Sequence, residues 1–222
     1  MEAAGLRRMR AARSARGYML AISQASDRWL HPRVVFVPLA GDRVDPWGTV
    51  LDPSRPLAWS FGFVDVVDEG LGFLAAWPTT IDLAERAGVR AQRFDGLSRP
   101  VGGPFWISGE EDHRLVYDVG LLPAPGATVV RWMREPGAGL PQQLCTTRVS
   151  HGGAAAPVRC RDLVGVVHGT HPPPEWMAAS AAGWIAVWFD ETSARRSEGF
   201  ASRRRAARTM TSCSRRPSRA AS

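Results

Sequence analysis

The chain has 222 residues and a net charge of +7, yet that charge belongs to its ends. Residues 1–16 carry five Arg against Glu2 (net +4) and residues 195–222 carry nine Arg against Glu198 (net +8), whereas 17–194 hold 14 Arg and 19 Asp plus Glu, a net of −5. The pI of about 10.7 therefore describes two tails, and it excludes a basic globular surface as a reason to infer a nucleic-acid-binding domain.

No lysine and no asparagine occur, as expected of a very GC-rich gene. Nine Trp and eight Phe supply large apolar side chains, enough for a core without metal or disulfide staples. Cys145, Cys160 and Cys213 are an odd set, all toward the C-terminal end of the chain. They form no disulfide framework by count, which predicts a reducing, cytoplasmic setting. No apolar run approaches the ~18 residues of a membrane span, and the five-residue run Tyr18–Ile22 is short for a signal peptide.

In chain order, residues 2–24 mix Ala, Leu, Met and Arg without proline and predict a short N-terminal helix, so 1–27 is read as a basic helical segment. From residue 33 the pattern turns to short β-like runs. Val34-Val35-Phe36-Val37 is β-branched and aromatic and ends at Pro38. Leu57, Trp59, Phe61 and Phe63 alternate with small residues, and with Leu71–Trp77 they predict a hairpin over 57–77. Thr79–Ala87 reads as a short helix, with Thr79 and Asp82 as its capping box, and Val89–Phe94 reads as a strand closed by Asp95-Gly96. Phe105–Ser108 and Leu115–Val119 flank the acidic Gly109-Glu110-Glu111-Asp112 and predict a second hairpin; Pro123-Ala124-Pro125-Gly126 turns into the run Thr128–Met133.

Strands at this spacing without long helices predict a mainly β protein, an antiparallel β-sandwich over 28–140. Regularity fades over 141–193, read as an irregular extension with candidate strands at Leu163–Val167 and Trp184–Phe189. Residues 194–222 are largely Arg, Ser and Ala and predict a disordered C-terminal tail. A GC-rich gene read out of frame would give a similar composition after about residue 140, and codon-position bias in the coding DNA separates the two.

Two passages, Phe63-Val64-Asp65-Val66-Val67-Asp68-Glu69-Gly70-Leu71-Gly72-Phe73 and Leu115–Gly126 followed by Val129-Val130-Arg131-Trp132, with Gly102-Gly103 ahead of Phe105, resemble uncharacterised small β-rich, sandwich-like proteins of high-GC bacteria. The resemblance covers about 57–140. It implies a sandwich and transfers no site residues.

Candidate chemistry is thin. Cys145, Cys160, His168 and His171 lack the close ligand pairs of a zinc site and read as scattered residues. Glu110, Glu111 and Asp112 beside His113 read as a solvated turn rather than a glycosidase pair, which needs two carboxylates on opposite sides of a bond. Asp65, Asp68 and Glu69 lack a D-x-D-x-D-G calcium loop. Gly102-Gly103 is too short to cradle a phosphate, and Ser108-Gly109 lacks a nucleophile elbow. Trp59, Phe61, Phe63, Trp77, Trp106 and Trp132 read as core, with a sugar-stacking platform as the alternative. Arg203, Arg204, Arg205, Arg215 and Arg216 predict weak polyanion binding that reads no sequence.

No residue is assigned a catalytic, cofactor-binding or metal role, and no cofactor is implied. The sequence reads as a non-enzymatic binding or structural module of unknown ligand or protein partner. The alternatives are a carbohydrate-active enzyme or carbohydrate-binding domain, and non-specific nucleic-acid association through the Arg-rich tails.

Overall fold

A computed structural model describes residues 6–26, 29–39, 48–51, 57–58, 64–79, 88–108, 115–135, 140–153, 155–163, 176–179, 183–190 and 206–213. Every regular element among them is a β-strand. The chain divides into two compact units, Met1–Val164 and Gly165–Ser222.

The first unit contains three antiparallel sheets, each built from consecutive strands. Sheet A comprises β1 (Leu6–Arg13), β2 (Gly17–Ser26) and β3 (Trp29–Pro38), with the short β4 (Thr49–Val50) and β5 (Leu57–Ala58) both on β3. Sheet B runs β6 (Asp65–Asp68), β7 (Gly72–Thr79), β8 (Gly88–Asp95) and β9 (Pro100–Trp106). Sheet C runs β10 (Leu115–Ala124), β11 (Ala127–Glu135), β12 (Gln143–Ser150) and β13 (Arg159–Asp162). The second unit holds sheet D, in the order β14 (Trp176–Ala179), β15 (Gly183–Asp190), β16 (Ala206–Cys213).

Strand alternation makes sheet B the middle layer of the first unit. Successive side chains point to opposite faces, and β7 is buried along all of its length. Its Phe73, Ala75 and Trp77 join a core with Ala12, Met19, Ala21, Val34 and Leu51 of the sheet A region. Leu74 and Ala76 join the other core with Val116, Leu121, Val130, Trp132 and Cys145 of sheet C. The A/B core includes an edge-on contact between Phe36 and Phe73, with ring centroids 6.4 Å apart. Both faces of β7 are thus covered by apolar cores, which explains its nearly continuous hydrophobic run.

The N-terminal helix is not present. Residues 6–13 and 17–26 are β1 and β2, joined by a tight turn in which the Ser14 amide donates to the Gly17 carbonyl at 2.8 Å. In β2, Met19 and Ala21 are buried while Tyr18, Leu20 and Ile22 are half-buried. Packing on sheet B therefore overrides a helix-compatible composition.

The hairpin expected over 57–77 is instead β6–β7, turning at Glu69-Gly70-Leu71; Leu57–Ala58 pairs with β3, and 59–63 lie outside the described residues. Thr79 ends β7 rather than capping a helix, and 80–87 lie outside the described residues. Phe105 and Leu115 belong to different sheets, so the second expected hairpin is a crossover from sheet B to sheet C. The Pro125-Gly126 turn does join β10 to β11, and Gly126 takes φ 67°, the left-handed conformation that a glycine supplies at little cost.

Beyond residue 140 the chain is more regular than its sequence suggests. Strand β12 pairs with β11 along its whole length and buries Leu144, Cys145 and Val149. Within the tail expected to be disordered, 206–213 form β16 against β15. The Trp184–Phe189 strand lies inside β15, whereas Val164–Val167 lie outside the described residues.

Candidate functional site

Cys145 and Cys160 face each other in the β12–β13 register and are joined by a disulfide, against the expectation of no such bond. Counting cysteines misses the pair because the third, Cys213, makes the total odd. His168 and His171 lie outside the described residues, and among those described no group of three or more His, Cys, Asp or Glu could hold a metal ion.

Among the described residues the buried charged side chains Asp118 and Arg131 lie on β10 and β11, and the edge strand β10 packs beside β6, which β1 flanks in turn. Strand β10 carries an extra residue relative to β11 between Tyr117 and Gly120, a β-bulge, and Asp118 within it has φ 50°. That conformation is uncommon outside glycine, though Asp tolerates it better than most residues. It turns Asp118 toward Arg131 of β11, whose Nη1 donates to Asp118 Oδ2 at 2.6 Å and to the Asp118 carbonyl at 3.1 Å. Both side chains are about nine-tenths buried. A Cβ at Gly120 would lie 2.7 Å from Arg131 Nε, so the guanidinium reaches Asp118 only across a residue without a side chain.

Asp65, at the start of β6, joins sheet B to sheet C. Its Oδ2 accepts the Leu121 amide at 2.8 Å, and its Oδ1 accepts the Val66 amide at 2.9 Å. Burial pushes this carboxyl above the ordinary carboxylate range; the two amide hydrogen bonds and the charges of Arg10 and Arg131 oppose that shift. Asp65, Asp118 and Arg131, from three strands, thus lie in one neighbourhood, and the exposed Arg10 of β1 acts on Asp65 through space.

The acidic residues near Asp65 diverge rather than cluster. Asp68 Oδ1 accepts the Gly70 amide at 2.8 Å and stays at the turn. Glu69 instead bridges sheets, accepting Arg93 Nε at 3.1 Å on one oxygen and Thr128 Oγ1 at 3.1 Å on the other. Arg93 then donates through Nη2 to the carbonyls of Ser150 (2.8 Å) and Gly153 (3.2 Å), with its guanidinium 5.1 Å from the centre of the Phe105 ring.

Trp77 and Trp132 are core residues, at 0% and 1% exposed, and cannot form a stacking platform. Trp106 is half-buried under Arg90, 5.2 Å from its ring centre. Gly102 and Gly103 form an exposed bulge in β9 with no phosphate-like cradle, held by Gln92 Nε2 donating to the carbonyls of Val101 and Gly102. Ser108 Oγ accepts the Val89 amide at 2.7 Å and fastens a strand end. Glu110, Glu111, Asp112, His113, Trp59, Phe61, Phe63, Arg203, Arg204, Arg205, Arg215 and Arg216 lie outside the described residues.

Sequence reasoning missed Asp118 and Arg131. The available signal was an arginine inside the apolar run Val129-Val130-Arg131-Trp132-Met133, since a buried guanidinium requires a carboxylate partner.

The fold and site define a mainly β protein whose first unit is a series of antiparallel sheets with a buried Asp118–Arg131 ion pair beside β6. No protein-family model matches the chain, and no curated protein does. Among solved structures it is similar to the GH43 BlXynB protein from Bacillus licheniformis, at 12% identity and a TM-score of 0.29. That similarity covers 84% of this chain and 49% of the other, so this chain spans about half the length of that protein. No helix among the described residues is long and apolar enough to cross a membrane.

Proposed function

We propose that the chain is a non-enzymatic binding or structural module, in which the sandwich packing expected from sequence is extended to three layers. Sheets B and C are each one sequential antiparallel meander, and sheet A begins as one before β4 and β5 both pair with β3. One observation carries the reading: the ionic groups at and beside β6 serve the scaffold. Both Asp65 oxygens hold backbone amides, and Arg131 closes the β10 bulge through Asp118. A general acid or nucleophile needs a carboxylate directed at substrate. The test is incubation of the full chain with a panel of aryl glycosides. No release above the buffer rate is expected. Release that Asp65→Asn abolishes in a folded protein would overturn the proposal.

A carbohydrate-active role is the second reading, supported by one feature. Asp65 is a half-buried carboxyl with a raised pKa and lies within electrostatic reach of Arg131, the partner of a second carboxylate, Asp118. The same assay separates the two.

Polyanion association through Arg203, Arg204, Arg205, Arg215 and Arg216 is tested by changing these five to serine in the full chain. Truncation at residue 194 would also remove β16. As to location, the Cys145–Cys160 bond supports folding in an oxidising compartment over the cytoplasm.

A further inference from the structure

We propose that Cys145–Cys160 is a thiol–disulfide exchange site for dithiol reductants, attacked at Cys160, and that its opening frees edge strand β13 while the two cores stay packed.

Position, exposure and fastening all support this. The cysteines sit directly opposite each other on β12 and β13 and are bonded. Their exposure is unequal. Cys145 is fully buried in the B/C core, whereas Cys160 is half-buried and packs against that core from the sheet edge. An incoming thiolate therefore meets Cys160 first, because exchange rates depend on access to the sulfur attacked. Strand β13 also buries little else: Arg159, Arg161 and Asp162 are exposed. Beyond its ladder to β12, its described ties are the Leu163 amide on the Gln142 carbonyl (2.8 Å), the buried Leu163 side chain just past the strand, and Gln143 Nε2 on Asp162 Oδ1 (2.7 Å). Segments with few buried contacts open at lower free energy than the core.

The exchange balances with a dithiol as reductant. One of its thiolates bonds to Cys160 Sγ, the disulfide breaks, and Cys145 leaves as a thiolate that takes up a proton. The second thiolate of the reductant then attacks the mixed disulfide and releases Cys160 as a thiol. The protein gains two electrons and two protons, and the reductant becomes a disulfide.

The experiment uses the full chain carrying Cys213→Ser, with dithiothreitol and, separately, glutathione as probes under native conditions. Before treatment neither cysteine should alkylate. After dithiothreitol both should alkylate, and amide exchange at 159–163 should accelerate at least tenfold while 129–133 keep their protection. Glutathione should be trapped on Cys160. A second protein, Cys145→Ser/Cys160→Ser/Cys213→Ser, should reproduce the exchange pattern without reductant. Free thiols before treatment, reduction only in denaturant, glutathione on Cys145, or simultaneous loss of protection in β11 and β13 would each overturn the proposal.

Discussion

Arg131 and Asp118 meet across a β-bulge: Nη1 of the arginine lies 2.6 Å from Oδ2 of the aspartate, with both side chains shielded from water. A pair of this kind is costly to break from one side, because the survivor is left as an uncompensated buried charge. Arg131→Met or Asp118→Ala should each lower stability by about 3–5 kcal/mol in urea unfolding.

Gly120→Ala should be destabilising for a related reason, since its new methyl would collide with the Arg131 guanidinium. Most of that cost should disappear when Arg131 is already alanine. A double-mutant cycle measures this coupling, and additive effects would show that Gly120 is not holding space for the arginine.

Asp65 gives a pH prediction. Its folded-state carboxyl titrates above the ordinary carboxylate value of 3.8, so the folded protein binds more protons than the unfolded chain just above that pH. This residue's contribution to stability therefore falls as pH rises from 3.8 through the folded-state value. Asp65→Asn keeps a carbonyl acceptor for Leu121 but cannot ionise, so it should flatten this part of the stability–pH curve. Unfolding midpoints of the two proteins between pH 3 and 7 provide the check.

Much of the β character was legible, whereas the assignment of strands to sheets was not. Val89–Phe94 and Thr128–Met133 are bounded by turn residues and appear as strands β8 and β11. Residues 18–22 are all apolar or aromatic, so their in–out alternation is invisible until sheet B covers one face. The only early sign of the β1–β2 hairpin was Ser14-Ala15-Arg16-Gly17, a turn sequence inside an apparent helix. Phe105–Ser108 and Leu115–Val119 look alike whether they pair or cross between sheets; the Ile107 amide bonding to the Val89 carbonyl at 2.9 Å ties the first to sheet B. The ionic cluster was half visible. In the sequence Asp65 stands beside Asp68 and Glu69, and Arg131 inside an apolar run, while their juxtaposition depends on a bulge that no local pattern encodes.

Thr79 is 1% exposed, and its hydroxyl hydrogen bonds to nothing among the described residues. A buried polar atom without a partner forfeits its hydration, at about 1–3 kcal/mol. Thr79→Val should consequently leave stability unchanged or raise it by up to about 2 kcal/mol in thermal unfolding. A loss exceeding about 1 kcal/mol would mean that the hydroxyl has a partner in solution.

Arg93 links sheet B to the turn after β12 and to Glu69. Arg93→Met preserves much of the stem but removes the donors, and should cost about 1–3 kcal/mol. Amide exchange at 150–153 should rise more than exchange at 73–77, which lie within both cores.

The most direct test of the layered arrangement is side-chain proximity on either face of β7, read from nuclear Overhauser effects in the folded protein. Phe73 should show contacts to Phe36 and Met19, and Leu74 should show contacts to Val130 and Trp132. If both residues contacted the same sheet, or residues 6–26 gave helical chemical shifts, the three-layer stack would be contradicted.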